Sequence, residues 1–297
     1  MISLCVKSNN PNIINYLLKN IALIKLDNIY YSSKHFSKYT NVIVHLADNS
    51  KASIFYNEIS NVICNCILLF YEPLIVKNLI YLNYFYFDVA DMIEIEDNCA
   101  ELLSPGFEKK SQKHFSNVEC VNDFNNRTIC LWTAVLKYIT ENKSMVLDGF
   151  VRFRIADYIK YIDSVIDSSV NQFVIDKEYY DFIDLLRSYI NSSISKIDLV
   201  HLVYINGESV LLDKDKNVIN ISKDILNVKC LSDITFSAND YALNNLLSLL
   251  PSKLIIHLIT DEDEFINTLK LIFSNRISIC KDCDICNVYR LLNEKRS

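Results

Sequence analysis

The sequence predicts an α+β protein, and three observations carry that prediction. Short apolar runs of strand length cluster near both ends, long stretches with helical periodicity fill the middle, and a paired-strand signal stands at Asn206-Gly207. The expected order is an N-terminal β-α-β-β segment followed by helices, a central helical segment, and a C-terminal mixed sheet with a hairpin and flanking helices.

Residues 2–6, ISLCV, are apolar apart from Ser3 and are followed by Asn10-Pro11, after which Ile13, Ile14, Leu17, Leu18 and Ile21 recur at the spacing of one helix face. That reads as a strand and then a helix. Residues 23–26, 29–31 and 42–46 alternate or run apolar around the polar stretch SSKHFSKYTN, which completes the β-α-β-β order. Residues 53–103 carry long apolar periodic stretches and predict packed helices, with a break at Pro73. The segment 104–127 is polar, contains Pro105-Gly106 and sustains no period. It places the expected division of the chain: an N-terminal region over 1–105, a linker over 106–127 and a C-terminal region over 128–297.

From 128 to 194 there is no proline and a single glycine, Gly149, while Leu131, Ala134, Val135, Tyr138 and Ile139 keep the helical interval. Three or four helices are expected there. LVHLVYI, Asn206-Gly207 and ESVLL then form a hairpin signal, because an Asn-Gly pair suits the positive backbone angles of a type I′ turn. NVINI predicts a third strand, 239–250 a helix stopped by Pro251, KLIIHLIT a buried strand, 261–274 a helix, and RISIC a last strand. Thr260 reads as the cap of the penultimate helix, with the acidic run 261–264 opposing its dipole, and Ser237 with Asp240 caps the helix before it.

Composition limits the function classes. With 297 residues, 51% of them apolar, the chain has enough material for one large core or two smaller ones. Only three glycines and four prolines occur, and neither a G-x-G-x-x-G nor a P-loop can be found. G-x-S-x-G, H-E-x-x-H and E-x-x-H are likewise missing, so hydrolase elbows, zincin helices and di-iron bundles have no anchor. A net charge of −6 disfavours nucleic-acid binding by the chain as a whole, while leaving a local basic patch open. The amino terminus has no secretory pattern, which gives an expected cytoplasmic location. The apolar run 59–71 is interrupted by Asn61 and Asn65, and reads as a buried helix and not as a transmembrane span.

Ten cysteines in a chain of this length and expected location do not suggest disulfides. Three stand together in CKDCDIC, where Cys280, Cys283 and Cys286 are spaced so that a turn or a helix can aim all three sulfurs at one ion. A ferredoxin run would require cysteine at 290, where Arg290 stands, so an iron–sulfur reading fails at that residue. Zinc needs a fourth ligand, and the candidates are His257 on the KLIIHLIT strand, His201 on the hairpin, and Cys230. His257 completes the expected set of Cys280, Cys283, Cys286 and His257. A lone histidine on an apolar strand also fits a core residue bonded to a carbonyl. The loop from Asp213 begins like a calcium loop with Asp215 and Asn217, but has Val218 where glycine is required and Asp224 where glutamate chelates. A polar hairpin loop explains it.

The runs FRIADYIKYIDSVIDSSV and KEYYDFIDLLRSYINSSI, the DLVHLVYINGESVLLD hairpin, LLPSKLIIHLI and IFSNRISICKDCDIC, taken in order, resemble the YtxC family of sporulation-associated proteins. The resemblance covers roughly residues 127–290. It implies a cytoplasmic protein of endospore-forming Firmicutes connected with sporulation, and it carries no catalytic signature. The expected function is a non-enzymatic regulator or scaffold acting through a protein partner, with a structural zinc in the C-terminal tail. The alternatives are a zinc-stabilised nucleic-acid-associated protein using the basic tail from Arg276 onward and, behind that, a redox or metal-transfer enzyme.

Overall fold

The structure, a computed structural model, describes residues 1–7, 10–104, 124–219 and 237–294. It divides into two units, Met1–Ile175 and Asp176–Ser297. Most of the expected linker, and Cys120, Cys230 and Asp224, lie outside the described residues.

In the first unit β1 (Ile2–Lys7), α1 (Pro11–Ala22), β2 (Ile29–His35) and β3 (Tyr39–Leu46) give the β-α-β-β order. Residues 23–26 form no strand, and the polar stretch between the expected strands is itself largely strand, because β2 pairs with β3 as far as His35↔Thr40. The sheet has the order β2-β3-β1-β4, closed at one edge by the three-residue strand β4 (Ser144–Val146), parallel to β1. One face is apolar: Ile2, Leu4, Val6, Val42, Val44 and Leu46 are buried against helical residues such as Ile14, Leu17, Phe55, Ile59 and Ile63. Alternation of buried and open positions along β1 and β3 is what a half-covered antiparallel sheet requires.

Helices α2 (Ala52–Cys66) and α3 (Glu72–Asn83) follow, then α4 (Val89–Leu102). The expected break at Pro73 is absent. A π-helical turn over Ile67–Tyr71 absorbs the proline, which sits in the first turn of α3 where its missing N–H costs little. The continuous stretch Ala52–Asn83 is long and apolar enough to cross a membrane by length and composition, and 56% of its most apolar window is buried within the unit. Helix α5 (Phe124–Asn142) and α6 (Leu147–Phe153) place Leu131, Val135, Ile139, Leu147 and Phe150 in this same core. The unit ends inside α7 (Ala156–Ser192), whose Tyr158, Ile162 and Ile166 complete the packing.

The second unit is built on β5 (Ile197–Ile205), β6 (Glu208–Leu212), β7 (Pro251–Leu258) and β8 (Ile277–Cys280), in the order β6-β5-β7-β8. The hairpin turns where expected, with φ of 50° at Asn206 and 82° at Gly207. Strands β7 and β8 then run parallel to β5, reached through α8 (Ala238–Leu249) and α9 (Glu264–Phe273). Of the expected third strand, the described residues hold a lone bridge, Leu212↔Val218. Ser237 and Asp240 form the expected capping box. Asp263 and not Thr260 caps α9, because the Thr260 hydroxyl accepts the Asn206 N–H instead.

This sheet is covered on both faces. Val200, Leu202, Tyr204, Leu254, Ile256 and Leu258 face α8, α9 and the end of α7. On the other face Val203 and Leu212 meet Ile285 of α10 (Asp284–Glu294), the last helix.

Candidate metal centre

The second face of that sheet carries the cysteines and both candidate histidines. Cα registers place His257 of β7 beside Val203 of β5 on one side and beside Cys280 of β8 on the other. Side chains two apart on a strand share a face, so His201, Val203, His257 and Cys280 all point toward α10. After Cys280 the chain turns through Lys281-Asp282, and Cys283 and Cys286 fall at the start of α10. Strand end, turn and helix start thus bring three sulfurs to one place.

Donor atoms of His257, Cys280, Cys283 and Cys286 all lie within 4.8 Å of one another. The Cys283 and Cys286 sulfurs are 3.7 Å apart and those of Cys280 and Cys286 3.9 Å, while His257 Nδ1 is 3.4 Å from Cys283 Sγ and 3.5 Å from Cys286 Sγ. Zinc–sulfur bonds of about 2.3 Å and a zinc–nitrogen bond of about 2.0 Å at tetrahedral angles separate two sulfurs by about 3.8 Å and sulfur from nitrogen by about 3.5 Å. The cluster therefore fits a tetrahedral ion without rearrangement of these pairs, and could hold one. Every described cysteine is a free thiol.

Electrostatics of the cluster suit a cation. His257 is 2% exposed, and burial, with His201 and Lys216 nearby, lowers its pKa to about 4, so the imidazole is neutral as a ligand must be. Burial opposes ionisation of Cys283, yet the N–H groups of Cys286 and Ile285 aimed at its sulfur, with the neighbouring thiols, hold its pKa below the usual value. Burial and then the adjacent Cys283 and Cys280 push Cys286 up to about 12. Three thiols this close resist ionising together unless a cation offsets their charge.

His201 is beside the cluster and not in it. Its Nδ1 lies 2.9 Å from His257 Nε2, and the rings stack at 26° with centroids 5.1 Å apart. Hence His257 presents Nδ1 to the sulfurs and Nε2 to His201, the usual arrangement of a metal-bound imidazole oriented by an outer partner. The sequence offers no signal for this pairing: 56 residues separate the two, and only the β5–β7 register joins them. Arg290, the residue that breaks the ferredoxin pattern, donates to the Lys281 carbonyl and lies 3.9 Å from Asp282, bracing the turn. At the calcium-like loop, Asp213 accepts the N–H groups of Asp215 and Asn217 at 2.8 and 2.9 Å, which is the expected polar turn.

The fold and the cluster together define a two-sheet α+β protein with a His/Cys3 group on its C-terminal sheet. The chain belongs to the YtxC-like family, whose model matches residues 57–278. That stretch includes His201 and His257 and ends two residues before Cys280, so it is geometry, not family membership, that assembles the four donors. The chain is similar to the "Uncharacterized protein YtxC" of Bacillus subtilis (strain 168), at 21% identity over 153 residues, 52% of this chain and 51% of that protein. The chain thus aligns with about half the length of this curated relative. No solved structure matches.

Proposed function

We propose that the C-terminal unit holds one zinc ion through His257 Nδ1 and the thiolates of Cys280, Cys283 and Cys286, and that the ion serves structure. The observation carrying this reading is that all four donor atoms lie within 4.8 Å of one another, with four of the six pairs separated by 3.4 to 3.9 Å. Four protein ligands fill a tetrahedral shell and leave no position for a substrate, which is the mark of a structural and not a catalytic zinc. On this reading the ion clasps β8 and α10 to β7.

The whole chain then acts as a non-enzymatic cytoplasmic regulator or scaffold, connected with sporulation as the resemblance implies, and works through protein contacts. An exposed apolar corner between α3 and α4 supports contact with a protein: Phe85 is 76% exposed, Leu82 72% and Tyr86 65%. The basic tail offers less to a nucleic acid, because Arg276 gives its donors to Ser195, Pro251 and Ile190 while Arg290 serves the turn.

Metal analysis of protein purified without oxygen tests the clasp. About one zinc per chain, lost in Cys283→Ser, is expected. Visible absorption from iron and sulfide, or no bound metal after zinc is supplied, would overturn it. For the regulator, affinity capture from sporulating cells should recover a defined partner, and recovery of none counts against that role.

A further inference from the structure

The N-terminal sheet has one face against the core and one face with nothing described upon it. Antiparallel register assigns the open face: Tyr30 lies opposite His45, Lys34 opposite Asn41, and Lys7 opposite Tyr39. Ser3 Oγ donating to Asn41 Oδ1 at 2.8 Å confirms that these alternate positions share a side. Ile43, on the same face, is absent from the side chains packed on the core.

Charge on this face is opposite in sign to that of the chain. Residues 1–46 hold five lysines and one acidic residue, Asp27, in a chain whose net charge is −6. No strand residue on the face is acidic. Lys7 and Lys38 flank a depression of about 500 Å³ beside Tyr39 and Cys5. The carboxylate at its rim, Asp148, lies 3.8 Å from Lys7 and partly offsets it. Lys34 and Lys38 have no carboxylate at ion-pair distance among the described residues. Lys34 sits over the Phe36 ring at 5.4 Å, and Phe36 stacks on Tyr39 with centroids 4.7 Å apart. Tyr30 is 61% exposed and Tyr39 42%.

We propose that this open face binds single-stranded nucleic acid, with Lys7, Lys34 and Lys38 meeting phosphates and Tyr30 and Tyr39 stacking on bases. Cations that track a backbone, interleaved with exposed rings on a flat sheet, are the combination by which unpaired strands are held without sequence readout. An acidic protein would use the lysines but leave the rings in water. An anionic bilayer would favour aliphatic residues for insertion, and among the described strand residues this face offers two, Ile43 and the 57% exposed Val146, against its lysines and exposed rings.

The test uses the full chain and a fluorescent oligothymidylate or oligouridylate of about 15 nucleotides, within the range of single-strand sites. Three phosphate contacts predict that log affinity falls with log salt at a slope of about −2. Lys34→Glu with Lys38→Glu should weaken binding at least tenfold and flatten the slope to about −0.7, and Tyr30→Ala should weaken it about fivefold or more. These side chains are exposed, and unchanged circular dichroism would show that the variants fold. No binding at low salt overturns the proposal, as does binding that the variants leave intact. Retention on phosphatidylserine vesicles without oligonucleotide binding reassigns the face to membranes, and self-association abolished by the same variants reassigns it to a second copy. Either result overturns it. None of these outcomes depends on the metal.

Discussion

His257 meets its neighbours through both ring nitrogens, Nδ1 toward two sulfurs and Nε2 toward His201 at 2.9 Å. If Nδ1 gives its lone pair to a cation, Nε2 must carry the proton and donate it to His201 Nδ1. His201→Ala should therefore lower zinc affinity about 10- to 100-fold, read by competition with a chromophoric chelator, and His201→Gln should restore part of it because an amide oxygen can still accept. Equal affinity in wild type and both variants would show that the pairing does not orient the ligand. A second buried group in the N-terminal unit makes a different prediction. Arg127, 3% exposed, lies 3.3 Å from Glu72, whose carboxylate also accepts from the Tyr158 hydroxyl. Burial raises the Glu72 pKa above its ordinary 4.5, and Arg127 and Tyr158 pull it back. Arg127→Ala removes the first of these restraints and raises the folded-state pKa further. A carboxyl with a raised folded pKa penalises the fold in full above that folded value, and the penalty fades as pH falls from the folded value to the unfolded one. The variant should thus lose about 3–5 kcal/mol near neutral pH, and less in acid as Glu72 protonates in both states. Denaturant titrations of the N-terminal transition at both pH values check this.

At the scale of elements, the β5–β6 turn shows sequence and structure agreeing for a physical reason. Asn206 and Gly207 both take positive φ, which a type I′ turn demands and most residues resist. A Cβ built on Gly207 would meet nothing within 4 Å, so Gly207→Ala costs backbone strain alone, about 1 kcal/mol, visible as a lower midpoint of the C-terminal unit. Signals of this local kind made much of the fold legible: the hairpin, the Ser237-Asp240 box and the amphipathic α1. What was hidden depended on distant partners. Strand β4 has three residues, too few for a period, and exists because Ser144, Met145 and Val146 pair with β1 some 140 positions earlier. Pro73 reads as a break in any local scheme, yet the π-helical turn before it keeps the helix in the core. For the metal centre, the C-x-x-C-x-x-C spacing announced three donors, and His257 could be named as one of several candidates. The choice among His257, His201 and the rest required the registers His257↔Cys280 and Val203↔His257, which no spacing encodes.

For the molecule as a whole, the question is how much of each unit a zinc ion held by the His/Cys3 cluster would support. The N-terminal unit has its own core, from Ile2 to Phe173, and the C-terminal sheet has another on the face toward α8 and α9. Neither includes α10. That helix has 11 residues and buries Ile285 and Cys286, while Val288, Leu291 and Leu292 are 53%, 60% and 51% exposed. So short a helix is marginal in water by itself, and two buried side chains on a small apolar patch add only a few kcal/mol. Strand β8 is also short and lies at the sheet edge, with the four residues Ile277–Cys280 paired to β7 alone. A closed zinc site contributes its binding free energy to whatever segment supplies the ligands, so both elements should owe their order to the ion. Chelation of the native protein is then expected to remove hydrogen-exchange protection first from residues 277–294. Central strands β5 and β7 should keep most of theirs, since Val200, Leu202, Leu254 and Ile256 stay packed on the other face. Amides of β1 and β3 should be unaffected. Exchange measured before and after chelation, and again after zinc is restored, separates the possibilities: protection of residues 277–294 unchanged by chelation would mean that packing, and not the ion, holds β8 and α10.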